Sequence, residues 1–238
     1  MTASQHTIAG TVLTMPVRIR KAKQHMAMFS VDADAAQRMI GYSGLRVCRY
    51  LPGRAIVVLM LMHYLDGDLG EYHEFGTSVM VNPPGSNAKG PRALRSAGAF
   101  IHHLPVDQPF TLEAGTKIWG YPKVMADFAV REGRQFGFAL TVDGQFVIDM
   151  EFGRGLPFSL TPRHQQQRTY SHRDGVTRET SFEHTLAGVR TRFGGARIRL
   201  GDHPYAKELA SLGLPKRAMV SSSVDNVQMT FGDAQEIS

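Results

Sequence analysis

Cysteine occurs once in the 238 residues, at Cys48, so the chain cannot form an internal disulfide. A lone thiol fits a reducing compartment, and a cytoplasmic location is the expectation. Long apolar runs are missing as well. The longest, Ala55 to Met62, falls far short of the roughly 18 residues that a membrane-spanning helix needs. Met1 to Gly10 has neither a basic start nor an apolar stretch with a small-residue cleavage site, so no export signal is expected. Strand-like segments do not alternate with long helices, which argues against a doubly wound nucleotide-binding sheet. With no repeat and no linker-like composition, a single domain over residues 1–238 is the expectation.

Acidic charge is in deficit: 27 Lys and Arg stand against 21 Asp and Glu, a formal charge of +6. The basic clusters are Arg18 to Lys23, Lys89 to Arg95 and Arg163 to Arg178. None interleaves aromatics for base stacking, and no zinc or helix-turn-helix signature accompanies them, so no nucleic-acid partner is expected. An anionic small substrate, or solubility alone, accounts for the charge. Metal signatures are absent too. Asp66, Asp68, Glu71, His73 and Glu74 lack the spacing of a calcium loop. His102 and His103, as neighbours on a strand, should face opposite ways. Neither a metal nor a cofactor is expected.

What is present is mostly short strands. Arg54 to Met62, Thr77 to Asn82, Phe110 to Glu113, Phe136 to Asp143 and Gln145 to Phe152 are rich in β-branched, aromatic and other apolar residues, and Gly, Pro, Asn or Asp bound them. Asp143-Gly144 suits a tight hairpin, because both residues tolerate positive φ. Two helices are predicted. Asp32 to Ile40 has an aspartate cap and Gly41 at its end; Pro204 to Leu212 has Asp202 ahead and Gly213 beyond. The polar, basic stretch Arg163 to Thr180 reads as a protruding hairpin or an irregular arm, with a turn at Asp174-Gly175 and a surface or subunit role.

Trp119-Gly120-Tyr121-Pro122-Lys123 is the most informative segment. It follows a charged turn, Glu113 to Lys117, and leads into an alternating run, Val124 to Val130. A lysine in a strand among Trp, Tyr, Pro, Val and Met has an apolar setting. An amine attacks a carbonyl only when neutral, and burial disfavours an ammonium, so desolvated lysines are the kind that form imines. A surface lysine with its stem along an apolar strand is the other reading of the same residues.

Lys117 to Lys123 resembles the active-lysine segment of the acetoacetate decarboxylase superfamily. Leu69 to Glu74, with Tyr72 and Glu74 one residue apart, is similar to the family's Tyr-x-Glu segment, and Val220 to Ser223 to its serine-rich lead into the last strand. The resemblance implies a mainly β (α+β) fold: an antiparallel, cone-like β-barrel with a few short helices and the site inside. It also implies a homo-oligomer acting on a small-molecule carbonyl substrate. Lys123 would form a Schiff base with a β-keto acid, and Glu74 would handle protons or orient substrate. The same lysine chemistry also serves aldolases and dehydratases, and a barrel of this kind can hold a ligand without turnover. Tyr121, Trp119 and Tyr72 are expected to bind substrate. Val124 replaces the decarboxylase's second lysine. Leu59 stands where it has a further cavity glutamate, and is therefore expected in the cavity wall. Ala22 falls nearest its arginine; Arg20, Lys21 or Lys23 close by could supply the substrate cation, and Arg20 is the expected site residue.

Overall fold

The computed structural model describes residues 4–158 and 165–237. A hairpin of β1 (Gln5–Ile8) and β2 (Thr11–Thr14) leads into the long strand β3 (Val17–Asp32) and then α1 (Ala33–Met39). Strands β4 (Arg54–Gly67), β5 (Tyr72–Val81) and β6 (Gly98–Val106) form a meander, followed by α2 (Pro109–Trp119) and the short β7 (Lys123–Met125). After these come β8 (Asp127–Arg131), β9 (Phe136–Val142), β10 (Gln145–Phe152) and β11 (Leu156–Pro157). The chain ends with β12 (Gln165–Arg173), β13 (Val176–Phe193), β14 (Ala196–Leu200), α3 (Pro204–Ser211), β15 (Val220–Phe231) and β16 (Gln235–Ile237).

Seven of these strands close a ring in the order β13-β12-β6-β5-β4-β3-β15, with β15 pairing back to β13. Neighbours run antiparallel except β12 beside β6, which is parallel. A second sheet, β14-β10-β9-β8, covers part of the ring's outer face. Phe75 of the ring meets Phe138 of that sheet at 5.2 Å between ring centroids, within the core that Leu59, Phe29, α1 and α3 also build. A separate apolar cluster lines the inside of the ring.

This arrangement explains the run Ala55 to Met62. Ala55, Val57, Leu59 and Leu61 pack in the core between ring and second sheet, whereas Met60 and Met62 face inward. A strand buried on both faces reads as continuously apolar.

The hairpin at Asp143 (φ 49°) and Gly144 (φ 73°) forms as expected. Other expectations need correction. Phe110 to Glu113 is not a strand, nor Glu113 to Lys117 a turn; both belong to α2. Pro109 fits the first helical turn, where its missing N–H costs nothing, and the Gln108 side chain accepts from the Thr111 amide at 2.6 Å. Thr111, Gly115 and Trp119 then share one face at intervals of four. In α1 the Asp32 side chain accepts from Ala35 N at 2.8 Å, but the left-handed residue is Gly44 (φ 73°), not Gly41, because a 3-10 turn intervenes. In α3 the cap is His203 rather than Asp202, its ring accepting from Tyr205 N at 3.1 Å. The expected basic arm is, in its described part, the β12–β13 hairpin of the ring itself, turning at Asp174 and Gly175. Arg163 and His164, at the start of that stretch, lie outside the described residues.

Candidate active site

The ring encloses a cavity of about 250 Å³, walled mainly by apolar and aromatic side chains. Lys123 enters it from the first residue of β7, which pairs in parallel with Leu104 of β6. Its placement follows from the end of α2. Gly120 takes the left-handed conformation (φ 63°) that closes the helix, and Tyr121 N bonds back to Gly115 O at 3.0 Å. The chain thereby reverses, and the Lys123 stem lies back across the helix over Gly115. A Cβ at Gly115 would stand 2.5 Å from Lys123 Cε, so only glycine leaves that path open.

The amine is buried. The Lys123 side chain is 3% exposed and that of Glu74 is 9%, and their charged atoms meet at 2.7 Å. Nζ also donates to Thr111 Oγ1 at 2.9 Å. The other Glu74 oxygen accepts from Tyr64 OH at 2.8 Å, so neither oxygen lacks a partner. Tyr64 and Tyr72 stack at 4.2 Å, and Nζ lies 5.3 Å from the Tyr72 ring centroid. Burial, reinforced by the Glu74 charge, pushes both phenols well above their ordinary range. Burial likewise pushes Tyr121 up to about 12, so all three remain hydroxyl donors at neutral pH.

Trp119 and Tyr121 line the same cavity. The Trp119 indole donates to Gly232 O at 2.8 Å, and Tyr121 OH bonds Thr169 at 2.8 Å, tying the end of α2 to the chain beyond β15 and the residues after it to β12. Thus Lys123, Glu74, Tyr72, Tyr121 and Trp119 come together. Leu59 and Arg20 do not join them. Leu59 is fully buried on the opposite face of β4, in the core against the second sheet, because even-numbered residues there take the inward side. Arg20 is half-exposed on the surface, held by Asp66 and Asp68 at 2.7 Å each. Ala22 is buried but does not reach the cavity wall. Sequence reasoning missed Thr111, Gly115 and Tyr64. The first two share the four-residue spacing of α2, a helical signal that was legible; nothing local marked Tyr64.

The histidine pair also departs from expectation. The register shifts between Thr77↔His103 and Ser78↔Ile101, leaving His102 as an extra residue in a bulge. Ile101 and Leu104 face the cavity, and both histidines turn outward to Glu208 of α3.

A closed ring of strands around a buried lysine–carboxylate pair defines a class of barrel with a chemically equipped interior. The pattern of the acetoacetate decarboxylase (ADC) family matches residues 5–235, and the chain belongs to that family of enzymes. No curated protein matches it by sequence. Among solved structures it is similar to acetoacetate decarboxylase from Legionella pneumophila (TM-score 0.69, 18% identity, covering 94% of this chain and 87% of that one). It is also similar to the enduracididine biosynthesis enzyme MppR complexed with the condensation product of pyruvate and imidazole 4-carboxaldehyde (TM-score 0.60, 18% identity, 94% and 90% covered). A third is an acetoacetate decarboxylase-like enzyme from Sphingomonas wittichii RW1 (TM-score 0.60, 14% identity, 99% of each chain). At these identities the likeness is one of fold. Among the described residues no helix is long and apolar enough to cross a membrane.

Proposed function

We propose that the protein is a Schiff-base-forming lyase in which Lys123 attacks the carbonyl of a small β-keto acid or related compound. The observation that carries this reading is the contact of Lys123 Nζ with Glu74 at 2.7 Å inside an apolar cavity. Glu74 takes the ammonium proton and leaves a neutral amine. Nζ adds to the carbonyl, water departs, and the protonated imine is an electron sink. The bond to the substrate carboxylate breaks, its electron pair enters the imine, and carbon dioxide leaves an enamine. The proton Glu74 took up leaves with that water, so Glu74 draws another from solvent and passes it to carbon, and water hydrolyses the resulting imine to release the ketone and the lysine ammonium. A carboxylate in dry surroundings is costly and carbon dioxide is neutral, so the cavity favours the departure.

The walls narrow the substrate. Among the described residues, Lys123 is the one Lys or Arg that lines the cavity. A second fixed anion would therefore lack a partner, and a compact apolar body is favoured. Aldol or dehydration chemistry on the same imine is the second reading, supported by the similarity to MppR bound to an aldehyde–pyruvate condensation product. We take residues 1–238 as one domain, working as a homo-oligomer in the cytoplasm; light scattering on the purified protein tests the assembly.

Borohydride reduction in the presence of a panel of keto acids, followed by peptide mass spectrometry, tests the proposal. A substrate-sized adduct on Lys123 is expected. Turnover without any trappable adduct, or an adduct on another lysine, would overturn it. Ligand binding without turnover or adduct would leave a carrier barrel instead.

A further inference from the structure

On the outer face of the ring, away from the cavity, His102, His103 and Glu208 bring one ligand atom each to within 4.8 Å of one another. We propose that these three residues form a binding site for a divalent transition-metal ion of the zinc class. Two imidazoles and a carboxylate are a donor set suited to zinc, which takes three protein ligands with a water or other small ligand in the fourth place.

The geometry comes from two elements that core packing brings together, since Tyr205, Ala206 and Leu209 of α3 are buried against the barrel. A regular strand would separate consecutive histidines onto opposite faces. The bulge at His102 cancels that alternation and turns both rings toward α3. His102 Nε2 lies 3.1 Å from Glu208 Oε2, and His103 Nε2 lies 2.5 Å from the same oxygen. Both rings therefore aim the same nitrogen at one point. The remaining ring nitrogen of His102 is held at 2.9 Å by Tyr42 OH, the kind of outer partner that fixes the tautomer and orientation of a ligating histidine. Tyr205, one turn before Glu208 on α3, packs its ring 3.9 Å from that of His103 and hydrogen-bonds Thr77 at 2.6 Å. The His103 ring is thus held in place, and α3 is tied to β5 as well as to β6.

Access is graded as such a site needs. The His102 side chain is 7% exposed, that of His103 29% and that of Glu208 46%, so the site is backed by protein at His102 and opens to solvent on the carboxylate side. An ion can enter from that side and keep an exchangeable ligand there. Ile101 and Leu104, which flank the histidines, face the cavity on the other side of β6. The site therefore stands apart from Lys123, and an ion there would staple α3 to the outside of the barrel.

The test uses tag-free protein stripped with chelator and then dialysed. Zinc titration followed by calorimetry and elemental analysis should show one equivalent bound, with a higher Tm in the loaded protein. Cobalt(II) should give visible absorption bands of a four-coordinate site, displaced by zinc. Glu208→Gln keeps size and a hydrogen-bonding group, and is expected to weaken binding at least tenfold; His103→Ala should do the same. Both variants are checked by circular dichroism for an intact fold. The wild-type titration stands without them. A stripped wild-type protein that takes up no stoichiometric zinc, with no cobalt bands, would show the three side chains to be a hydrogen-bonded cluster only. Stoichiometric zinc uptake unchanged in both variants would place the ion elsewhere. Either result overturns the proposal. Borohydride trapping at Lys123 is read separately, so this outcome and that of the lyase reading are independent.

Discussion

Gly115 and Lys123 occupy one space: the missing side chain of the first is where the aliphatic stem of the second lies, with Cε 2.5 Å from the position a Cβ would take. Helix α2 thus does more than precede the lysine in sequence, since it forms the floor along which the amine reaches Glu74. Gly115→Ala should displace that stem. Overpacking of this kind costs about 1–3 kcal/mol. The expected result is a modest fall in Tm with a large loss of turnover and of borohydride trapping. Unchanged kinetics would show that the lysine has another route.

Lys123 and Glu74 should be interdependent in stability as well as in chemistry. Removing one member of a buried pair strands the other charge, at a cost of about 3–5 kcal/mol. Lys123→Met should abolish trapping and lower stability. The double variant Lys123→Met/Glu74→Gln should regain most of that stability while remaining inactive. Urea unfolding of the four forms measures the coupling, and additive losses would contradict it.

Tyr64 holds the Glu74 oxygen that does not touch the lysine. Tyr64→Phe removes a hydrogen bond to a charged group, of order 1.5–3 kcal/mol, without altering the cavity's shape. Turnover should fall by about tenfold or more while the imine still forms, because the carboxylate is less firmly aimed. Steady-state rates beside trapping yields check the split.

His25 supplies a pH dependence unrelated to the active site. Its ring stacks on Phe136 at 3.5 Å, and burial, with Lys23 adding, pushes it down to about 4. Unfolded histidine titrates near 6.5, so between about pH 6.5 and 4 the unfolded chain binds a proton that the folded one refuses. This contribution is fully present above about pH 6.5 and is lost as pH falls through that window, by at most about 3 kcal/mol. His25→Gln should flatten the acid limb of a Tm-against-pH curve. An unchanged limb would assign the acid sensitivity to other groups.

Acetoacetate should be a poorer substrate than a keto acid with a bulkier apolar body. Leu59 does not bear on this, because it packs in the opposite core; Met60, Met62, Ile101 and Leu104 make the wall instead. Each Å² of apolar contact contributes about 25 cal/mol, which selects hydrophobic substrates. Kinetics across a series of branched and aromatic keto acids, with acetoacetate as reference, decide it. Efficient, selective decarboxylation of acetoacetate would show that these walls do not discriminate.

Much of the fold was readable where one rule acts alone. The Asp143-Gly144 turn needs only local positive φ, and β4, β9 and β10 are marked by their apolar residues. Placement failed where a neighbour decides. Leu59 and Met60 are equally apolar, and only the pairing with β5 and the second sheet says which faces inward. The alternation of His102 and His103 was sound for a regular strand, and the bulge, set by pairing with Thr77 and Ser78, could not be read locally. Arg20 looked available for substrate because its partners, Asp66 and Asp68, are distant in sequence. Lys123, Glu74, Tyr72, Tyr121 and Trp119 were found together because motif resemblance carries spatial information that periodicity does not.

Closure of the ring has a consequence for how the protein is made. Phe231 pairs with Val17 and Phe182, so the seam joins the last strand of the ring to its first. Val227, Met229 and Phe231 of that last strand are walls of the cavity. Contacts this distant along the chain carry a large closure entropy and form late. Without β15 the cavity around Lys123 would lack these three walls and stand open to water. The Lys123 amine gains these apolar walls only when the C-terminal strand has emerged and docked. Late docking also leaves β3 and β13 as unpaired edges during synthesis, the interval in which the chain is most exposed to self-association.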